Sequence, residues 1–143
     1  MRRLEEARKA LKLALEELER YRKDREGLRL RNACEKGWLA VILATDTLLV
    51  SSGYKKPESY SERRRALEDL EVRYPKVSEL GLRDRFGARG YYLHVQGYHE
   101  GMLSDIEVER ELAKVKEYID DVEEILRGAA RSRQGHQSGE TGG

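Results

Sequence analysis

At 143 residues the chain has the length of one domain and enough apolar content to bury a core. Charged and apolar residues each make up 38%, with 28 Lys and Arg against 27 Asp and Glu. That balance excludes a global field recruiting nucleic acid or an anionic membrane, so any such binding needs a local patch.

Two prolines and an abundance of Ala, Leu, Glu, Lys and Arg favour helix over a turn-rich β architecture. The single cysteine, Cys34, excludes an intramolecular disulfide and fits a reducing, cytoplasmic setting. The opening MRRLEEARKALKLALEELE is too regularly charged for a targeting peptide. Leu39–Val50, interrupted by Thr45, Asp46 and Thr47, is shorter than the ~20 residues that span a bilayer, so no membrane association is expected. The charge-dense composition also suits a thermophile.

Leu4, Ala7, Leu11, Ala14, Leu18 and Tyr21 alternate spacings of three and four, with Glu5–Lys9 and Glu16–Arg20 on the other face. This predicts an amphipathic helix over Arg3–Glu26, broken at Gly27. Between Leu30 and Ser52 the apolar stripe widens through Ala33, Cys34, Trp38, Val41, Ile42, Thr45, Leu48 and Leu49. A helix apolar on most of its circumference belongs at the centre of a bundle, and Gly37 allows a neighbour to approach closely.

Ser59-Tyr60-Ser61-Glu62 reads as a capping box starting a helix through Arg73, which Pro75 closes. Val77–Leu80 forms a short turn ending at Gly81. Leu82–Tyr98 is one helix loosened by Gly87, Gly90 and Gly97, or two pieces. Ser104-Asp105-Ile106-Glu107 is a second capping box, opening a helix over Asp105–Arg127 with Val108, Leu112, Val115, Ile119, Val122 and Leu126 as its seam. The expected fold is all-α: an up-and-down bundle of four main helices plus a short extra helix. It occupies residues 1–127 as a single domain, and residues 128–143, with nothing to bury, form a tail expected to be disordered.

Leu80–Gly101 is the least generic stretch, dense in glycine, arginine, tyrosine and histidine. Arg89 and His94 are candidate catalytic residues, because a group titrating near neutrality and a fixed cation together can cleave RNA without a metal. His99 and Tyr98 could assist. The alternative is packing, with Arg89 paired to a carboxylate such as Asp84. The spacing of five between His94 and His99 takes them off a common α-helical face, and no metal or other cofactor is expected. Arg63, Arg64 and Arg85 with Tyr91 are the candidate RNA-facing set, since arginines grip phosphates and tyrosines stack on bases. Interleaved acids such as Glu62, Glu68 and Asp84 make a solvated face the competing reading.

The run from Glu26 to Trp38, EGLRLRNACEKGW, with Arg89, His94 and Gly97-Tyr98-His99-Glu100-Gly101, resembles the archaeal PaREP family, grouped with HEPN-like four-helix bundles. The resemblance covers Leu4–Leu126. It implies either a metal-independent endoribonuclease carrying Arg, four to six residues, then His, or a non-catalytic partner of a nucleotidyltransferase. Active members usually follow the arginine with Asn, Asp or His, where this chain has Gly90. The earlier Arg31-Asn32 pair has Lys36 where a histidine is wanted. The resemblance therefore points to a non-catalytic module, a homodimer or higher homo-oligomer, that binds a partner protein, a nucleotide or RNA.

Overall fold

The structure, a computed structural model, describes the backbone of residues 2–141 and the side chains of residues 4–131. Among the described residues it is all-helical, with no strand. The helices are α1 (Arg2–Asp24), α2 (Gly27–Ser51), α3 (Tyr60–Arg73), α4 (Pro75–Glu79), α5 (Leu82–Arg89) and α6 (Asp105–Thr141). Between α5 and α6 lies a π-helical segment, Gly90–His99.

The α1 seam is buried as its spacing predicts: Leu4, Ala7, Leu11, Ala14 and Leu18 are all at most 7% exposed. The break after it falls earlier than expected. Arg25 takes the left-handed conformation at φ 59°, and Gly27 already opens α2. Asp24 stabilises the corner by accepting from the Glu26 amide at 3.0 Å and from Arg29 Nε at 2.6 Å.

α2 packs against α1, α3, α5, the π segment and α6. A Cβ at Gly37 would lie 2.6 Å from Leu112 Cδ2, so the missing side chain is what lets α6 come this close. Deeper in α2, Thr45 Oγ1 donates to the Val41 carbonyl at 2.7 Å and meets the fully buried Tyr118 hydroxyl at 2.5 Å. Burial pushes the Tyr118 phenol up, which keeps it neutral.

The first capping box forms in part, with the Glu62 amide donating to Ser59 Oγ at 3.1 Å; Glu62 itself accepts from the Glu58 amide. The second is reciprocal: Glu107 N–H donates to Ser104 Oγ and Ser104 N–H donates to Glu107 Oε1, both at 3.2 Å. Pro75 ends α3 and sits in the first turn of α4, where its missing N–H is harmless.

The α6 seam is buried from Val108 to Leu126. The helix itself continues to Thr141, past the Arg127 boundary read from the periodicity; Gly142 and Gly143 lie outside the described residues. Arg8 ties α1 to α6 through Asp120 at 2.9 Å and Glu123 at 2.7 Å, and Arg22 does so through Asp105 and Glu109. Such surface pairs contribute less than about 1 kcal/mol each, so the apolar seams hold the helices together.

Cys34 is 1% exposed, and burial, with the charges of Glu111 and Glu35 adding to it, pushes its thiol up to about 12. Because the folded value lies above the roughly 8.5 of a free thiol, the neutral thiol favours the native state. Its stabilising contribution is complete below that free-thiol value and is lost as pH rises toward the folded one. The native chain is therefore expected to resist iodoacetamide at mildly alkaline pH and to take up one equivalent only after unfolding. Mass spectrometry before and after denaturation checks this.

Candidate functional site

The π segment determines which side chains can meet. The backbone passes from α5 into it without a break, Gly90 being helical at φ −61° and ψ −44°. At its far end the Glu100 amide donates to the Val95 carbonyl at 3.0 Å, an i→i+5 bond in place of the α-helical i→i+4. In that register residues five apart stack along the helix. His94 and His99 accordingly face each other, Nε2 to Nε2 at 3.1 Å, and Tyr91 Oη accepts from Gln96 Nε2 at 3.0 Å. The expectation that a spacing of five separates the two histidines is corrected here: it holds for an α-helix and fails in a π-helix.

Two glycines seat the segment on α2. A Cβ at Gly97 would lie 2.5 Å from Cys34 Sγ and 2.8 Å from Cys34 Cβ, and one at Gly90 would lie 3.0 Å from the Trp38 ring. This proximity carries His94 Nδ1 to Glu35 Oε2 of α2, at 2.8 Å. The carboxylate accepts, so Nδ1 carries a proton, and in that tautomer of the neutral ring Nε2 is the acceptor presented toward His99. Tyr98 stacks on His94 at 6.0 Å and 16°, and Trp38 lies 6.3 Å away on α2. His94 and Glu35 remain 36% and 37% exposed, so the cluster is open to solvent.

Arg89 is placed differently. Its Nε donates to Glu111 Oε2 of α6 at 2.7 Å, the two side chains being 7% and 9% exposed, and its guanidinium lies 6.0 Å from the Tyr92 ring. Glu111, not Asp84, is the carboxylate that pairs with it. Arg89 and His94 thus have no partner in common.

Of the expected RNA-facing arginines, Arg63 is bidentate to Asp46 of α2 at 2.8 and 2.9 Å, with only 13% of its side chain exposed. Arg85 pairs with Asp121 of α6 at 2.8 Å and donates to the Leu80 carbonyl. Arg64 is exposed, its guanidinium 6.0 Å from the Tyr60 ring. Tyr91 is exposed and edge-on to Tyr92 at 5.2 Å.

Beside the histidines a cleft of 520 Å³ is lined by Trp38, Ile42, Tyr60, Arg63, Tyr91 and His94 among others. Aromatic walls with one imidazole at the edge suit a flat, polar-edged ligand. A second cleft of 530 Å³, lined by Tyr21, Arg31, Gly101 and Leu103, has neither a carboxylate nor an imidazole in its wall.

A family model for the archaeal PaREP1/PaREP8 family matches residues 2–119. The chain belongs to that family. No curated protein and no solved structure matches the chain.

Glu35, Asp46 and Glu111 are the site residues that sequence reasoning missed. A signal existed for two of them: Glu35 and Asp46 are the only acids in α2, and eleven residues, close to three turns, place them on one face. Each holds a cationic or imidazole group from the layer above. Glu111 carries no such mark among the many acids of α6.

Removing Glu111 leaves the buried Arg89 charge uncompensated, at a cost of about 3–5 kcal/mol, whereas removing Arg89 leaves Glu111 with Lys114 at 3.4 Å. Glu111→Ala is expected to lower urea-unfolding stability by that amount, and Arg89→Ala by less. The double change Arg89→Met with Glu111→Leu is expected to recover most of it. Equal losses in the single and double variants would contradict the assignment.

Proposed function

We propose that this PaREP-family chain is a HEPN-like, non-catalytic module that self-associates and binds a partner protein or a nucleotide. Residues 1–127 are its single domain and residues 128–143 a tail outside it. In this reading α1, α2, the continuous helix of α5 with the π segment, and α6 are the four members of an up-and-down bundle, with α3 and α4 as additions. The protein works in the cytoplasm, and a nucleotidyltransferase is the kind of partner the HEPN resemblance suggests.

The observation that carries the non-catalytic reading is the burial of Arg89 against Glu111. A cation that stabilises a pentacoordinate phosphate must reach the same open space as the general base. Here its charge is neutralised in the core while His94 faces Glu35 and His99. Self-association is supported by an exposed apolar surface: Tyr91, Tyr92 and Val95 on the π segment and Leu39 on α2 are between 37% and 52% exposed.

The chain is expected to elute as a dimer or higher oligomer in size exclusion with light scattering, and Val95→Lys to weaken association at least tenfold. A strict monomer over a wide concentration range would sink the oligomer. Incubation with single-stranded and structured RNA in EDTA is expected to leave the RNA intact. Cleavage by the wild type that disappears in His94→Ala would replace this reading with a metal-independent endoribonuclease using Arg89 and His94, assisted by His99 or Tyr98.

A further inference from the structure

We infer that His94 and His99 form a two-imidazole site for a divalent transition-metal ion of the zinc, nickel and copper type, with Glu35 as the carboxylate that orients His94. The inference stands on the geometry of the π segment and is independent of whether the chain is catalytic.

Distance is the first argument. Two imidazole nitrogens bound to one ion at about 2.05 Å stand roughly 3.3 Å apart at a tetrahedral angle, and about 2.9 Å apart at a right angle. The Nε2 atoms of His94 and His99 are 3.1 Å apart, between those limits. Their ring centroids are only 4.5 Å apart, closer than two rings meeting head-on through that contact would be. The ring axes are therefore inclined to the line joining the nitrogens, as chelation of one ion requires.

Tautomer is the second. A metal-bound histidine commonly donates its other ring N–H to a carboxylate, which fixes the ring and raises its basicity. His94 has that arrangement already: Nδ1 donates to Glu35 Oε2 at 2.8 Å and leaves the Nε2 lone pair free to bind. Without metal, His99 Nε2–H donates into that lone pair. On metal entry the His99 proton relocates through solvent to Nδ1, so two neutral imidazoles bind with no net change in their protonation.

Preorganisation and access are the third. His94 is tethered by Glu35 and has the Tyr98 and Trp38 rings 6.0 and 6.3 Å from its own, which limits the rotamer freedom lost on binding, while His99 lies exposed. Imidazole pairs suit zinc, nickel and copper, not the oxygen-seeking magnesium and calcium. Among the described residues no three His, Cys, Asp or Glu side chains converge as a ligand set, so water completes the coordination.

Trp38 supplies the readout. It is the only tryptophan in the chain, and its ring lies 6.3 Å from that of His94, within range of quenching by copper(II). The untagged full chain, titrated with copper(II), is expected to lose Trp38 fluorescence saturably at one ion per chain, with zinc(II) restoring it by competition. His99→Ala and His94→Ala are each expected to weaken binding at least tenfold, Glu35→Ala about tenfold, and His136→Ala not at all. Because His99 is exposed, His99→Ala with unchanged helical circular dichroism decides the matter even if His94→Ala fails to fold. Absence of saturable quenching, or quenching unchanged in His99→Ala, would overturn the site.

Discussion

The i→i+5 register over Gly90–His99 fixes the chemistry of this molecule. Ten residues wound as a π-helix stack side chains five apart, and so set His94 over His99 and Tyr91 over Gln96. Long π-helices are rare because their hydrogen-bond geometry and packing are poorer than those of an α-helix. What offsets the cost here is contact with α2. Gly97 rests on Cys34 closer than a side chain would allow, and Gly90 rests on Trp38 where a side chain would fit only tightly. The same two contacts bring His94 to Glu35. The close seating of the two glycines on α2 therefore sets where the His94 imidazole lies.

Charge follows a similar logic across the fold. Asp46 on α2, and Glu111 and Asp121 on α6, each take one arginine from the α3 and α5 layer: Arg63, Arg89 and Arg85 respectively. An arginine held bidentately or buried against a carboxylate retains little field to offer a phosphate. Arg63, Arg85 and Arg89 thus pin α3 and α5 onto α2 and α6. His94, held by Glu35 at one nitrogen and facing the exposed His99 with the other, is left without a carboxylate-paired cation beside it.

Much of the architecture could be read from the chain because its determinants are local. The α1 and α6 seams are spaced three and four apart, and both capping boxes are four-residue signals, so each is visible without knowing the fold. Leu80–Gly101 could be marked as unusual for its composition. Its register could not, since a π-helix over these residues depends on how tightly Trp38 and Cys34 press from α2. A spacing of five then carries the wrong meaning when an α-helix is assumed. The partner of Arg89 was equally hidden: Glu111 is one of many acids on α6, and only packing singles it out. Membership of the archaeal PaREP1/PaREP8 family extends over residues 2–119, which includes the π segment and both of its glycines.

The register itself can be measured without any assay of function. In an isotopically labelled sample, scalar coupling across backbone hydrogen bonds reports which carbonyl each amide binds. The π-helical arrangement predicts a correlation from the Glu100 amide to the Val95 carbonyl. A correlation to the Gln96 carbonyl would mean an ordinary α-helix, would separate His94 from His99, and would contradict the account.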